Sequence, residues 1–400
     1  MRTDEVIHYI CRMQISVIIL NYNVRYFLEL CVLSVQKALE NIDGEIIVID
    51  NNSSDDSCAM IRERFPTITL IANTENLGFP KGNNIGVAQA KGKYVCILNP
   101  DTVVAEDTFE KVLAFAESKT DLGIVGCKLI DGTGNFLPEC KRGVPTPFVA
   151  FTKVMGLYRL FPKSKLFGRY YAEHLNENQT GKVDILVGAF MTMKRKLYLE
   201  VGGFDENCFM YSDDIDLSYM VLKTGKSNYY FHETSVIHYK GESTVRDGLY
   251  MKRFRDAMHF FYQKHFRTSF FFDVFMAIGA FFFSIFKRSQ TVKSNRTIDE
   301  YCLFSSNEKL ALKVENLLGK KVMMVDSTTK NNLNSLTNPS VTTTEIIFDN
   351  NDWSFKAIIE FLEHHKNKGF TFKILPQKSH FFIGSNSSND RGEVIVLENK

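Results

Sequence analysis

Short apolar runs and spaced apolar residues alternate along the first hundred positions. Ile15 to Leu20 is a short β-branched run closed by the turn-prone Asn21-Tyr22-Asn23, which predicts a buried strand. Val24, Phe27, Cys31, Val35 and Leu39 then recur at helical spacing and predict a helix with one apolar face. Ile46 to Ile49 is the next strand, and Asp55 and Asp56 can cap the helix that carries Met60 and Ile61. Ile68 to Ile71, a helix near Asn83 to Ala90, and the strand Tyr94 to Leu98 continue the rhythm. Strands separated by helices in this way predict a parallel, twisted sheet with helices on both faces, an α/β fold. Ligands bind beyond the carboxyl ends of such strands. Here those ends carry Asn21-Tyr22-Asn23, Asp50-Asn51 and Asn99-Pro100-Asp101, so polar residues collect at one edge.

The pattern changes twice further on. Residues 132–181 mix Gly, Pro and aromatics without regular period and read as a lid or acceptor-facing insertion. Phe270 to Phe286 is mostly apolar, broken by Asp273 and Ser284 and flanked by Lys264, Arg267, Lys287 and Arg288. As a helix it would reach ~25 Å against a bilayer core of ~30 Å, so it reads as lying in a membrane interface in preference to crossing it or packing as a buried helix. Beyond it Tyr301 to Phe304, Lys309 to Leu318, Val322 to Val325, Ile346 to Phe348, Phe355 to His365 and Phe372 to Leu375 repeat a small βα pattern. This predicts a second Rossmann-like unit. Its first turn, Ser305-Ser306-Asn307-Glu308, has no glycine to admit a pyrophosphate, so no nucleotide site is expected there. The chain therefore divides into 13–265, a hydrophobic helix and linker over 266–290, and a small domain over 298–400.

Composition narrows the function. The 400 residues are 44% hydrophobic with a net charge of +2, which excludes disorder and a dedicated nucleic-acid binder. No C-x-x-C pair occurs among the eight cysteines, and several sit inside apolar runs, so buried free thiols in a reducing compartment are expected. Met1 to Cys11 lacks an uninterrupted apolar stretch after basic residues, which argues against a signal peptide and for a cytoplasmic protein. Met13, just before the first strand, is an alternative start.

Several blocks then converge. Ser16 to Asn23, Val48 to Asp55, Asn76-Leu77-Gly78-Phe79 with Gly82-Asn83-Asn84, and Leu98-Asn99-Pro100-Asp101 stand in order. Gly188-Ala189-Phe190, Gly202 to Glu206, Phe209 to Leu217 and Val236-Ile237-His238 extend the series. In order and spacing these blocks resemble the family 2 glycosyltransferases, in their rhamnosyltransferase-like branch, over about residues 13–265. The resemblance implies a GT-A fold, a Rossmann-like mixed sheet flanked by helices, and inverting transfer from a nucleotide-sugar donor. It also implies a divalent cation, Mg²⁺ or Mn²⁺, to neutralise the departing diphosphate. The family's DXD position is Asn99-Pro100-Asp101, leaving Asp101 as its one carboxylate, and His238 matches the position that completes the metal shell.

An in-line displacement also needs a base for the acceptor hydroxyl. Asp213-Asp214 matches the family's acidic pair; Asp214 is the expected base, and Asp213 tunes it or binds acceptor hydroxyls. Read without the family, Asp101 is a turn residue, and Asp213, Asp214 and Asp216 complement a helix dipole. Donor recognition is expected from Tyr22, Asn23, Asp50, Asn51, Gly78, Lys81, Asn83 and Asn99, with Gly78 and Gly82 admitting the donor close to the backbone. The apolar stretch and the family together point to a saccharide or polyprenyl-linked acceptor in surface polysaccharide assembly. The enzyme would then sit peripherally on the cytoplasmic face of the inner membrane. Two rivals are a non-catalytic scaffold of the same fold, which the missing first carboxylate motivates, and a sugar-nucleotide pyrophosphorylase. The latter needs a Gly-rich loop after the first strand, where this chain has Asn21-Tyr22-Asn23.

Overall fold

β1 (Ile15–Asn21), β2 (Gly44–Asp50), β3 (Thr69–Ala72) and β4 (Tyr94–Leu98) occupy the apolar runs, with α1 (Arg25–Ala38), α2 (Ser57–Arg64) and α3 (Gly78–Gln89) between them. This computed structural model describes residues 13–146, 148–149, 168–208, 211–240, 248–266, 298–325, 343–386 and 392–397. The apolar stretch 270–286, the first twelve residues and much of the 132–181 insertion lie outside them. Among the described residues, no helix is long and apolar enough to cross a membrane.

The four strands are parallel in the order β3-β2-β1-β4, with Asn21 opposite Asp50 and Ile19 opposite Leu98. That register brings their polar ends to one rim. α3 begins at Gly78 rather than near Asn83, because Pro80 sits in the first turn, where a missing N–H breaks no intrahelical bond. The capping expected of the aspartates before α2 falls to Asp55, whose Oδ1 accepts from Ser57 N at 3.0 Å while Oδ2 accepts from Arg25 N at 3.0 Å.

The sheet then becomes mixed. After β5 (Thr102–Val103), α4 (Thr108–Glu117) and β6 (Leu122–Ile130) come the short β7 (Lys141–Arg142), β8 (Gly181–Val183) and β9 (Ile185–Leu186). β10 (Phe190–Lys194), α5 (Arg195–Glu200), α6 (Asp213–Lys223), β11 (Ser227–His238) and α7 (Gly248–His265) follow. β10 runs antiparallel between β4 and β6, and β11 lies between β6 and β5. Periodicity cannot show this reversal, because a buried strand reads the same in either direction.

The C-terminal sheet has the order β13-β12-β14-β15-β16-β17: β12 (Glu300–Phe304), β13 (Val322–Val325), β14 (Thr344–Asp349), β15 (Phe370–Leu375), β16 (Phe381–Gly384) and β17 (Glu393–Val396). α8 (Glu308–Leu318) and α9 (Phe355–His365) connect its parallel strands. The β16–β17 hairpin is an addition to the expected pattern. A single apolar cluster joins the two sheets: Val103, Ile130, Ile237 and Tyr239 pack with Phe304, Phe348, Trp353 and Phe361. Of the cysteines described, Cys31, Cys96, Cys127, Cys140, Cys208 and Cys302 are buried free thiols, and Cys58 is half-buried.

Candidate active site

The rim of the first sheet is knitted by amide and carboxylate side chains. Asp50 accepts from Asn21 Nδ2 at 2.7 Å and from Ser53 Oγ at 2.6 Å through Oδ1, and from Ser53 N at 2.9 Å through Oδ2. Asn23 adopts a left-handed backbone (φ 54), its N–H donates to Ser53 Oγ, and its Oδ1 accepts from Ser54 N. Asn51 donates to the Gly78 carbonyl at 3.1 Å and accepts from Asn73 Nδ2 at 2.9 Å, which ties the loop before α3 to the end of β2. Gly78 has φ 79, a conformation that favours glycine there. Asn83 is buried and donates to the Phe79 carbonyl at 2.9 Å. Gly82 faces Leu20, whose Cδ1 would lie 2.4 Å from an added Cβ, so its smallness serves helix-to-sheet packing. Tyr22 and Lys81 are exposed at the same rim. Of the residues expected to meet a donor, these two offer free side chains, and Asp50, Asn51 and Asn23 hold the loops that frame them.

The second group stands where β5 meets β11. Thr102 pairs with His238 across that antiparallel bridge, and Tyr239 N donates to the Asp101 carbonyl at 3.0 Å. Residues far apart in sequence thereby become neighbours: His238 Nε2 lies 3.4 Å from Asp101 Oδ1 and 3.4 Å from Asn99 Nδ2. Asn99 Oδ1 is buried and has no hydrogen-bond partner among the described residues. Among the described residues no group of three His, Cys, Asp or Glu forms a complete metal cage. One carboxylate and one imidazole fit a cation that takes its remaining ligands from phosphate and water.

The acidic pair opens α6. Asp214 Oδ2 accepts from Arg142 Nη2 at 2.6 Å and from the Gly188 N–H at 3.2 Å. Burial, followed by the charge of Asp214, pushes the Asp213 carboxyl up to about 7. Asp216 is turned away, bonded to Lys264 at 2.8 Å and His265 at 2.5 Å, which fastens α6 to the end of α7. Arg142 was not among the residues the sequence singled out. It lies in the irregular insertion on a two-residue strand, too short for periodicity to reveal, and its one signal was a basic pair beside a buried cysteine.

The groups share one rim. Asn99 N donates to the Ala189 carbonyl at 3.1 Å, and the neighbouring Gly188 N–H holds Asp214. A Cβ on Gly188 would lie 3.5 Å from both Asp214 Cβ and the Phe79 ring. Glu139 bridges the two ends electrostatically: it pairs with Lys240, feels the charge of His238, and acts in turn on Arg142.

Comparison with known proteins gives a family match and several relatives. Residues 16–202 match the family model described as Glycosyl transferase family 2. The chain is similar to N-acetylglucosaminyl-diphospho-decaprenol L-rhamnosyltransferase of Mycobacterium tuberculosis H37Rv, 26% identical over 213 residues covering 50% of this chain and 68% of that protein. It is also similar to rhamnosyltransferase WbbL of Escherichia coli K12, 27% identical over 220 residues covering 51% and 78%. Among solved structures it superposes loosely on a mannosyltransferase from Pyrobaculum calidifontis in complex with GDP-Man and Mn²⁺. That superposition has a TM-score of 0.44 and 19% identity, and covers 67% of this chain and 69% of that one.

Proposed function

Residues 16–202 are a family 2 glycosyltransferase domain of the rhamnosyltransferase-like kind, and from that premise we propose an inverting, metal-dependent transfer of a hexosyl group to a saccharide or polyprenyl-linked acceptor. The observation that carries this reading is the short hydrogen-bonded path from Asn99 through Ala189 and Gly188 to Asp214, which sets Asp101 and His238 on the same rim as the acidic pair.

In this reading the acceptor hydroxyl oxygen attacks the anomeric carbon while its proton passes to Asp214. The bond from that carbon to the diphosphate oxygen breaks, and the nucleoside diphosphate leaves with the electron pair. Asp101 and His238 would hold the cation, Mg²⁺ or Mn²⁺. When bound it supplies positive charge for the departing diphosphate. Tyr22 would lie against the base or ribose, and Lys81 would meet phosphate; the exposure of both at the rim supports this. Asp213, whose carboxyl burial pushes up to about 7, serves as a donor toward acceptor hydroxyls. The names of the relatives make an L-rhamnosyl donor the first to test, and the decaprenol-linked substrate in one of those names motivates a lipid-linked acceptor at a membrane surface. Peripheral association with the cytoplasmic face of the inner membrane fits that acceptor.

The test is a product assay with UDP-, GDP- and dTDP-linked sugars, with N-acetylglucosaminyl-diphospho-decaprenol as acceptor, alongside calorimetric binding of the nucleoside diphosphates with and without Mn²⁺. Asp214→Asn should abolish transfer and leave diphosphate binding within a few-fold of normal. Asp101→Ala should remove the Mn²⁺-dependent part of binding. Full activity of Asp214→Asn removes the assigned base, and absence of any metal-dependent binding favours the scaffold reading.

A further inference from the structure

Arg142 has no assigned role, yet its guanidinium makes the strongest contact to the acidic pair. The pairing is built by topology: β7 lies antiparallel to β9, with Arg142 opposite Ile185, and the chain leaving β9 runs directly into Val187-Gly188. Arg142 and the Gly188 N–H therefore approach Asp214 from one short antiparallel strand pair and meet the same oxygen, Oδ2. Asp214 Oδ1 makes no hydrogen bond to a described residue, and it is not among the buried atoms that lack a partner. One carboxylate oxygen is thus gripped and the other is left open to the rim.

We infer that Arg142 is a positioning residue that clamps Asp214 through Oδ2 and aims Oδ1 at the acceptor hydroxyl. This deepens the base assignment above and rests on it. Two N–H donors on one oxygen fix the rotation of the carboxylate, so the reactive lone pair does not have to be found anew in each turnover. The charged groups acting on this pair are few. Asp213 is the neighbouring carboxyl on α6, while Glu139 and the Tyr170 hydroxyl act on Arg142 from the other side. Burial works against the Arg142 charge, but Asp214 and its hydrogen bond hold the guanidinium above its ordinary range. Without it, the carboxylate at this buried helix start would lose the guanidinium beside it, and loss of a counter-charge disfavours the ionised form of a carboxylate. Among the described residues Arg142 Nε has no hydrogen-bond partner, so the same guanidinium has a spare donor. That makes direct acceptor binding by Arg142 the competing role to exclude.

The experiment is the pH dependence of kcat and kcat/KM for the wild type, Arg142→Met and Arg142→Lys in the full chain. The probes are dTDP-L-rhamnose and N-acetylglucosaminyl-diphospho-decaprenol, with thermal midpoints measured in parallel. Arg142→Met should lower kcat by about 10²-fold or more at pH 7. It should also move the acid limb upward by about one pH unit, with the donor KM unchanged. Arg142→Lys keeps the charge with poorer geometry and should restore the acid limb and only part of kcat. If Arg142→Met does not fold, the Lys variant still decides: a limb at the wild-type position with reduced kcat supports the clamp. An unmoved limb in Arg142→Met, or a loss confined to acceptor KM in either variant, overturns it and makes Arg142 an acceptor-binding residue. The parent reading fails separately, through an active Asp214→Asn.

Discussion

Asp213 shows how a single residue couples the candidate site to stability. Its carboxyl is pushed up from 3.8 to about 7 by burial and by the charge of Asp214, so the folded chain binds a proton there that the unfolded chain has already released. A raised carboxyl makes stability fall as pH rises from about 4 to about 7, by at most about 4 kcal/mol over that window. Asp213→Asn should flatten this part of the stability profile and make the protein more stable than wild type at pH 8. Urea unfolding at pH 5 and pH 8 checks it, and equal differences between variant and wild type at both values would refute the assignment. Asp101 illustrates the opposite limit of legibility. By itself it is a turn aspartate after a strand, and only His238 at 3.4 Å makes it half of the pair proposed to hold a cation.

Among the elements, α3 shows how closely a helix must approach the sheet for the rim to keep its shape. Gly86 has no room for a side chain, since an added Cβ would lie 2.5 Å from Ile49 Cδ1 and 2.6 Å from Ile18 Cγ2. Ile18 is β-branched and stiff at that atom, so the helix must shift outward. Gly86→Val should destabilise by about 1–3 kcal/mol and weaken nucleoside diphosphate binding, because Gly78 and Asn51 move with the helix. Chemical denaturation with parallel calorimetry tests this, and an unchanged unfolding midpoint contradicts the packing account. The β1–β4 alternation was readable from apolar spacing because each element carries its own period. β7 and β9, two residues each, carry none. Their existence depends on pairing, and Arg142 was hidden with them.

For the whole molecule, the decisive feature is the apolar cluster shared by the two sheets. Trp353, Phe304, Phe348 and Phe361 of the C-terminal unit pack with Val103 and Ile237, which flank the Thr102–His238 pair. Polar contacts surround this cluster: Glu106 accepts from the Phe355 and Lys356 N–H groups at 2.7 and 2.8 Å, and Lys128 pairs with Glu363 at 2.8 Å. The first of these caps α9 with a carboxylate from the other sheet, satisfying donors that a helix start otherwise leaves open. A buried interface of this kind predicts one cooperative unfolding transition in calorimetry; two well-separated transitions would show that the units fold independently. Trp353→Ala should cost about 3–5 kcal/mol and also weaken Mn²⁺-dependent diphosphate binding, since it loosens the packing behind the β5–β11 bridge. Unchanged metal-dependent binding in a folded Trp353→Ala protein would disconnect the C-terminal unit from the site.

Local chemistry carried much of this into the linear chain. Apolar period set the α/β alternation of both sheets, and the polar strand ends marked the rim, because each of these signals is contained within a few consecutive residues. The antiparallel insertion of β10, the meeting of Asp101 with His238, and the grip of Arg142 on Asp214 were decided only in three dimensions. Each joins segments tens of residues apart through strand pairing. A strand's composition records that it will be buried, but not which neighbour will bury it.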